Sequence, residues 1–208
     1  MYDYKTILGV AASVISVVSY MPYFRDMFRG ETKPHPFSWF IWGLVSAIAF
    51  FAQIVAGGGI GAWTTGITAV ACLTIAGLAV FFGEHHVSEL DVVCFVGAII
   101  GIIAWRVTGN PLTAVIIVLT VHLLGFIPTY RKGYILPHEE TLLTYILSCL
   151  KWGVGLLALA TINPTTALFP AGVLILNIGF SVMLYVRQKQ VPSPRRSNSR
   201  RRGGRFTI

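Results

Sequence analysis

The chain has 208 residues, of which 55% are apolar and 12% charged, with a mean hydropathy of +0.72. A water-soluble domain carries about twice that share of charge; this composition excludes one and points to an integral membrane protein in contact with lipid. The formal net charge is +8, but eight of the sixteen Lys and Arg residues follow Tyr185, so the excess speaks of sidedness and a basic tail rather than nucleic acid.

In chain order, apolar runs of roughly bilayer length predict helices over 6–24, 37–56, 62–82, 92–105, 112–127, 141–160 and 167–186. The first does not resemble a cleaved leader, because it passes into PYFRDMF without a small-residue cleavage site. Its end falls near Pro22, as the fifth ends near Pro128. Trp39, Trp63 and Trp105 stand near helix ends and are expected as interfacial anchors, and Gln53 is expected at the same depth. The loop GEHHVSELD sets His85 beside His86 among Glu84, Glu89 and Asp91. Adjacent histidines lack the spacing of a helical metal site, so a solvated loop is expected, with no metal or cofactor. The fourth run is short and carries a GxxxG pair, Gly97 and Gly101, which favours close helix packing. Cys72, Cys94 and Cys149 lie inside apolar runs and read as packed thiols. The segment 187–208, ending in VPSPRRSNSRRRGGRFTI, reads as a disordered tail suited to anionic lipid heads.

Two segments repeat each other 106 residues apart. SYMPYFRDMF, from Ser19, aligns without a gap on GFIPTYRKGY, from Gly125. Pro22 then matches Pro128, Arg25 matches Arg131, and Tyr20, Phe24 and Phe28 match Phe126, Tyr130 and Tyr134. The same register pairs Ser38, Trp39 and Leu44 with Thr144, Tyr145 and Leu150. An internal repeat in a hydrophobic chain marks a transporter built from two related halves. If both copies face the same way, one linker helix separates two triplets. The expected architecture is therefore an all-α membrane protein of seven transmembrane helices: a repeat over 1–82, a linker helix and loops over 83–110, and a second repeat over 111–186. One side then holds thirteen Lys and Arg against two, Lys5 and Arg106, on the other. The positive-inside rule places the tail in the cytoplasm and the N-terminus outside.

This 3+1+3 plan, with a proline at the end of the first helix of each triplet, resembles the PQ-loop family, which includes SWEET sugar uniporters, cystinosin-like exporters and the KDEL receptor. Tyr23 and Thr129 stand where the Pro-Gln signature has glutamine. The resemblance implies a pseudo-two-fold axis along the membrane normal, a substrate cavity between the triplets, and an asparagine on the third helix of each. Asn177 matches the second of these, whereas Ala71 occupies the first position at the same offset.

Polar groups at membrane depth are costly and mark function. Lys151 lies about 15 Å into its helix at 1.5 Å per residue, with no Asp or Glu inside any expected span to pair with it. Thr144, Ser148, Lys151, Gly155 and Ala158 share one helical face, as do Ser38, Trp42, Ser46, Ala49 and Gln53. The expected substrate site is Lys151, Trp42, Trp152, Asn177, Ser148 and Ser46, with Pro22 and Pro128 as hinges and His122 either an interhelical hydrogen bond or a proton relay. No nucleophile–base pair, phosphate loop or HExxH motif occurs, so no enzyme is expected. The leading expectation is a transporter of a sugar, amino acid or organic anion by alternating access, in a bacterial inner membrane. The alternative is a non-transporting receptor or adaptor of the same fold that binds a peptide or acidic motif. Homo-oligomer formation stays open.

Overall fold

A computed structural model describes residues 4–34, 36–83 and 89–192. The paired histidines and the tail beyond residue 192 lie outside the described residues, as do the side chains of Cys94, Asp91 and Pro128. The described chain is built from seven α-helices: α1 (Tyr4–Phe28), α2 (Pro36–Val55), α3 (Trp63–Phe82), α4 (Glu89–Thr108), α5 (Pro111–Ile135), α6 (Leu142–Leu157) and α7 (Pro164–Gln190). Short 3-10 turns precede α3 (Gly59–Ala62) and α6 (Pro137–Glu139).

Local chemistry sets several of these boundaries. Asn110 caps α5 by accepting from the Leu112 N–H, with Pro111 in the first turn. Asn163 and Thr166 form a capping box at the start of α7, again followed by proline. Gly30, at φ 67°, ends α1 in the left-handed conformation that glycine adopts most freely.

Three expectations about element ends need correction. Pro22 and Pro128 do not terminate their helices. α1 continues to Phe28 and α5 to Ile135, because the flanking turns and packing retain the helix past the one backbone bond a proline removes. α4 is 20 residues long, six more than the uncharged run, since it begins at Glu89 and carries Arg106 in its last turn, each at the end where its charge suits the helix dipole. α6 is shorter than expected, at 16 residues, because the chain leaves the helix at Ala158 to meet the α2–α3 turn.

Five segments are long and apolar enough to cross a membrane by themselves: α1, α2, Gly59–Phe82, α5 and α7. α4 and α6 contribute shorter apolar stretches, Phe95–Thr108 and Leu142–Leu157. The end of α3 meets Pro34, and Gly97 and Gly101 of α4 then approach Val121 and Ile117 of the antiparallel α5. The outer faces are apolar, with Val10, Val14, Val17, Ile175 and Val182 exposed. The interior instead holds Ser16, Ser19, Thr64, Thr68 and Lys151. An apolar exterior around a polar-containing interior is the distribution lipid requires.

In the first triplet α3 sits between α1 and α2, and in the second α7 sits between α5 and α6. Between triplets α1 packs on α6 and α2 on α5, while α4 lies against α5 and α2. Exchanging α1, α2 and α3 with α5, α6 and α7 leaves this list of intertriplet contacts unchanged. Two apolar clusters fill the centre. One joins α2, α5, α6 and α7 through Val45, Ala49, Val118, Trp152 and Phe169. The other is aromatic and carries Tyr20, Tyr23, Trp39, Trp42, Phe126, Tyr145 and Phe180.

Candidate functional site

Where the triplets meet, α1, α2, α3, α5, α6 and α7 enclose a small cavity of about 50 Å³. Of the expected site residues, Lys151, Trp42, Trp152, Asn177, Ser148 and His122 all line it. Ser46 does not: it is fully buried, with its hydroxyl unpartnered, outside the cavity lining. Its position one helical turn beyond Trp42 keeps it on the inward face but at another depth. The hinge candidate Pro22 is also outside the lining.

The lining adds residues that sequence reasoning passed over: Tyr20, Trp39, Thr68, Cys72, Phe126, Tyr145 and Val173. Trp39 is a clear correction. It is not an interfacial anchor but buried, donating its indole N–H to Tyr23 Oη at 3.1 Å and packing edge-on against Trp42. Gln53 is likewise buried rather than interfacial, donating to the Thr166 carbonyl at 2.9 Å and so tying α2 to the start of α7. Trp63 is more than half exposed, as an anchor requires.

Lys151 is 1% exposed. Its ammonium donates to Tyr20 Oη at 2.9 Å and Thr68 Oγ1 at 3.1 Å, from α1 and α3. It also lies 4.0 Å from the centroid of the Tyr20 ring and 5.4 Å from that of Trp152. Its hydrogen-bond partners are hydroxyls of the other triplet, not Asn177, whose amide donates to the Val173 carbonyl of its own helix. No carboxylate lines the cavity among the described residues. Four other buried polar atoms on its wall have no hydrogen-bond partner among the described residues: Trp42 Nε1, both ring nitrogens of His122, and Thr144 Oγ1. Such groups are expensive to bury unmatched. His122 packs against Trp42 and Phe126 and edge-on to Phe169, and its ring makes no interhelical hydrogen bond among the described residues.

Several lining residues pair across the triplets at the 106-residue offset: Tyr20 with Phe126, Trp39 with Tyr145, and Trp42 with Ser148. On the third helices the offset becomes 105. Thr68 lines the wall with Val173, and Cys72, rather than Ala71, lines it with Asn177. The turn before α3 is therefore one residue longer in effect than its counterpart before α7.

The cavity is closed at both ends, by different means. At the end carrying the N-terminus, the α2–α3 turn meets the α6–α7 turn through backbone: the Ala160 N–H donates to the Gly58 carbonyl at 3.1 Å, and Lys5 Nζ reaches the Ala160 carbonyl at 2.9 Å. A Cβ on Gly61 would stand 2.5 Å from the Leu159 nitrogen. At the tail end the closure is made by side chains. Tyr145 Oη donates to Glu140 Oε2 at 2.9 Å, and Lys132 Nζ lies 3.2 Å from Glu140 Oε1. Beside it Thr141 Oγ1 donates to Asp26 Oδ2 at 2.7 Å, joining the α5–α6 loop to α1, and Arg25 pairs with Asp26 at 2.8 Å. Burial pushes the Glu140 carboxyl above its ordinary range, and the Lys132 charge and the Tyr145 hydroxyl oppose that.

No protein-family model matches the chain, nor does any curated protein or solved structure.

Proposed function

We propose that this chain is a membrane transporter of a small solute that works by alternating access about the Lys151 cavity. The single observation that carries the reading is a small, largely apolar-walled cavity between two helix triplets that holds the buried Lys151 ammonium, with a separate layer of contacts across the triplets at each end. A site with two independent closures is what alternating access needs, because one must open while the other holds. α1–α3 and α5–α7 would be parallel repeats about an axis along the membrane normal, joined by α4. The exchangeable contacts between triplets and the paired lining residues support that arrangement. PQ-loop or SWEET-like membership rests on the same features and on Pro22 and Pro128 at matched positions. The N-terminus would face outside and the tail the cytoplasm of a bacterial inner membrane, because Arg25, Arg29, Lys33, Arg131, Lys132 and Arg187 share one end.

Purified protein in proteoliposomes, offered radiolabelled sugars, amino acids and organic anions, should accumulate at least one of them down its gradient. A solute that binds but is never moved would make the chain a receptor. Cysteines placed at Lys33 and Ile162 should react with impermeant maleimide from opposite sides of the membrane; reaction from one side would end the topology.

A further inference from the structure

We infer that the cavity is a binding site for a compact monoanion, of the size of formate, acetate or a single inorganic anion. The inference rests on the transport reading for its biological use but not for its chemistry.

Charge comes first. Among the described residues the lining contains one lysine and no carboxylate. A buried ammonium without a counter-charge is costly, and the two hydroxyls and two rings around Lys151 lessen that cost without cancelling the charge. An anion would. A cationic or zwitterionic solute would bring an amine for which the wall has no charged acceptor.

Hydrogen bonding agrees. Lys151 has three N–H donors and uses two. Trp42 Nε1 can only donate, Thr144 Oγ1 can donate, and His122 can donate from one nitrogen or both. All are buried, line the same wall and lack partners among the described residues. The vacant capacity is thus rich in donors, which suits an acceptor-only ligand such as a carboxylate.

Size narrows the class. The open volume of about 50 Å³ corresponds to a few water molecules, at roughly 10–15 Å³ of such space each. A six-carbon sugar does not fit without repacking Trp42, Trp152 and Tyr20, whereas a two- to four-atom anion needs little movement.

The test uses full-length protein in detergent, titrated calorimetrically with the sodium salts of formate, acetate, butyrate, chloride and nitrate at constant ionic strength, with sodium gluconate as the bulk salt. The same solutes are then followed in proteoliposomes. Formate, acetate or an inorganic ion should bind more tightly than butyrate, the organic and inorganic arms separating the two sources of this chemistry. Lys151→Met should weaken that binding more than about tenfold, since a charge-assisted hydrogen bond is worth at least that. Thr144→Val, which keeps the charge, should weaken it by a smaller factor and covers the case in which Lys151→Met does not fold. Anion binding without anion flux would leave the site standing and sink the transport reading. Failure of all five anions to bind, or flux of an uncharged solute undiminished in Lys151→Met, would overturn the anion site while leaving transport intact.

Discussion

The two closures of the cavity solve one problem with opposite materials. At the N-terminal end, backbone meets backbone through Gly58, Gly61, Leu159 and Ala160, and among the described residues the charged contributor is Lys5. At the tail end, Asp26, Glu140, Lys132, Thr141 and Tyr145 meet through side-chain hydrogen bonds and an ion pair. Close backbone contact is short-ranged and insensitive to pH, and is lost abruptly once a side chain intrudes. Side-chain bonds can be released one at a time, and a buried carboxylate adds dependence on protonation. The tail-end closure is therefore the graded one, and the other behaves as an all-or-none seam.

The largest effect should come from intruding on the seam. Gly61→Ala sets a methyl against the Leu159 backbone and should cost about 3 kcal/mol, read as a lowered melting temperature in detergent. Gly77→Ala, on a helix with no neighbour within 4 Å of the new methyl, should instead gain up to about 1 kcal/mol. If both variants melted alike, the seam would not be a tight contact. Next, Thr141→Val removes the donor from the Asp26 carboxylate across the tail-end closure and should cost about 2 kcal/mol. It should also raise the maleimide reactivity of a cysteine at Ser148 from the tail side only. Labelling from the N-terminal side would reverse the comparison. Tyr145→Phe keeps the ring that packs on Phe180 and loses only the bond to Glu140, a loss of about 1 kcal/mol.

The smallest effect is the pH dependence of the tail-end closure. The folded state holds the Glu140 proton more tightly than the unfolded chain does, because burial disfavours the carboxylate. Its contribution to stability is therefore full below the ordinary carboxylate value, declines as pH rises through the folded value above it, and then levels off. Melting temperature followed upward from pH 4 should carry this slope, and Glu140→Gln should flatten it. An unchanged slope in Glu140→Gln would assign the titration to another group.

Much of the site was legible from spacing. Lys151, Ser148 and Thr144 share one face of α6 because steps of three and four return to the same side, and Trp42 follows from the same rule on α2. Ser46 obeyed the rule and still missed the cavity, because periodicity gives a direction but not a depth. Trp39 and Gln53 were misplaced for a related reason. Nearness to a helix end suggests an interface, yet Tyr20 and Tyr23 of α1 pack on Trp39 and the first turn of α7 accepts from Gln53, which only the packed structure reveals. Tyr20 and Thr68, the partners of Lys151, come from helices 131 and 83 residues away in sequence, and no local pattern joins them.

By itself the sequence determined that the chain is apolar and helical, where its helices fall, which end carries the positive charge, and that two segments correspond 106 residues apart. These are properties of the chain against its solvent, set by composition and period. The tertiary structure decided which faces meet, how deep each polar group lies, that Cys72 rather than Ala71 shares the wall with Asn177, and how each end is shut. Those depend on the rotation and sliding of one helix against another, and a shift of one residue, about 1.5 Å along a helix and 100° around it, is enough to exchange a wall residue for its neighbour.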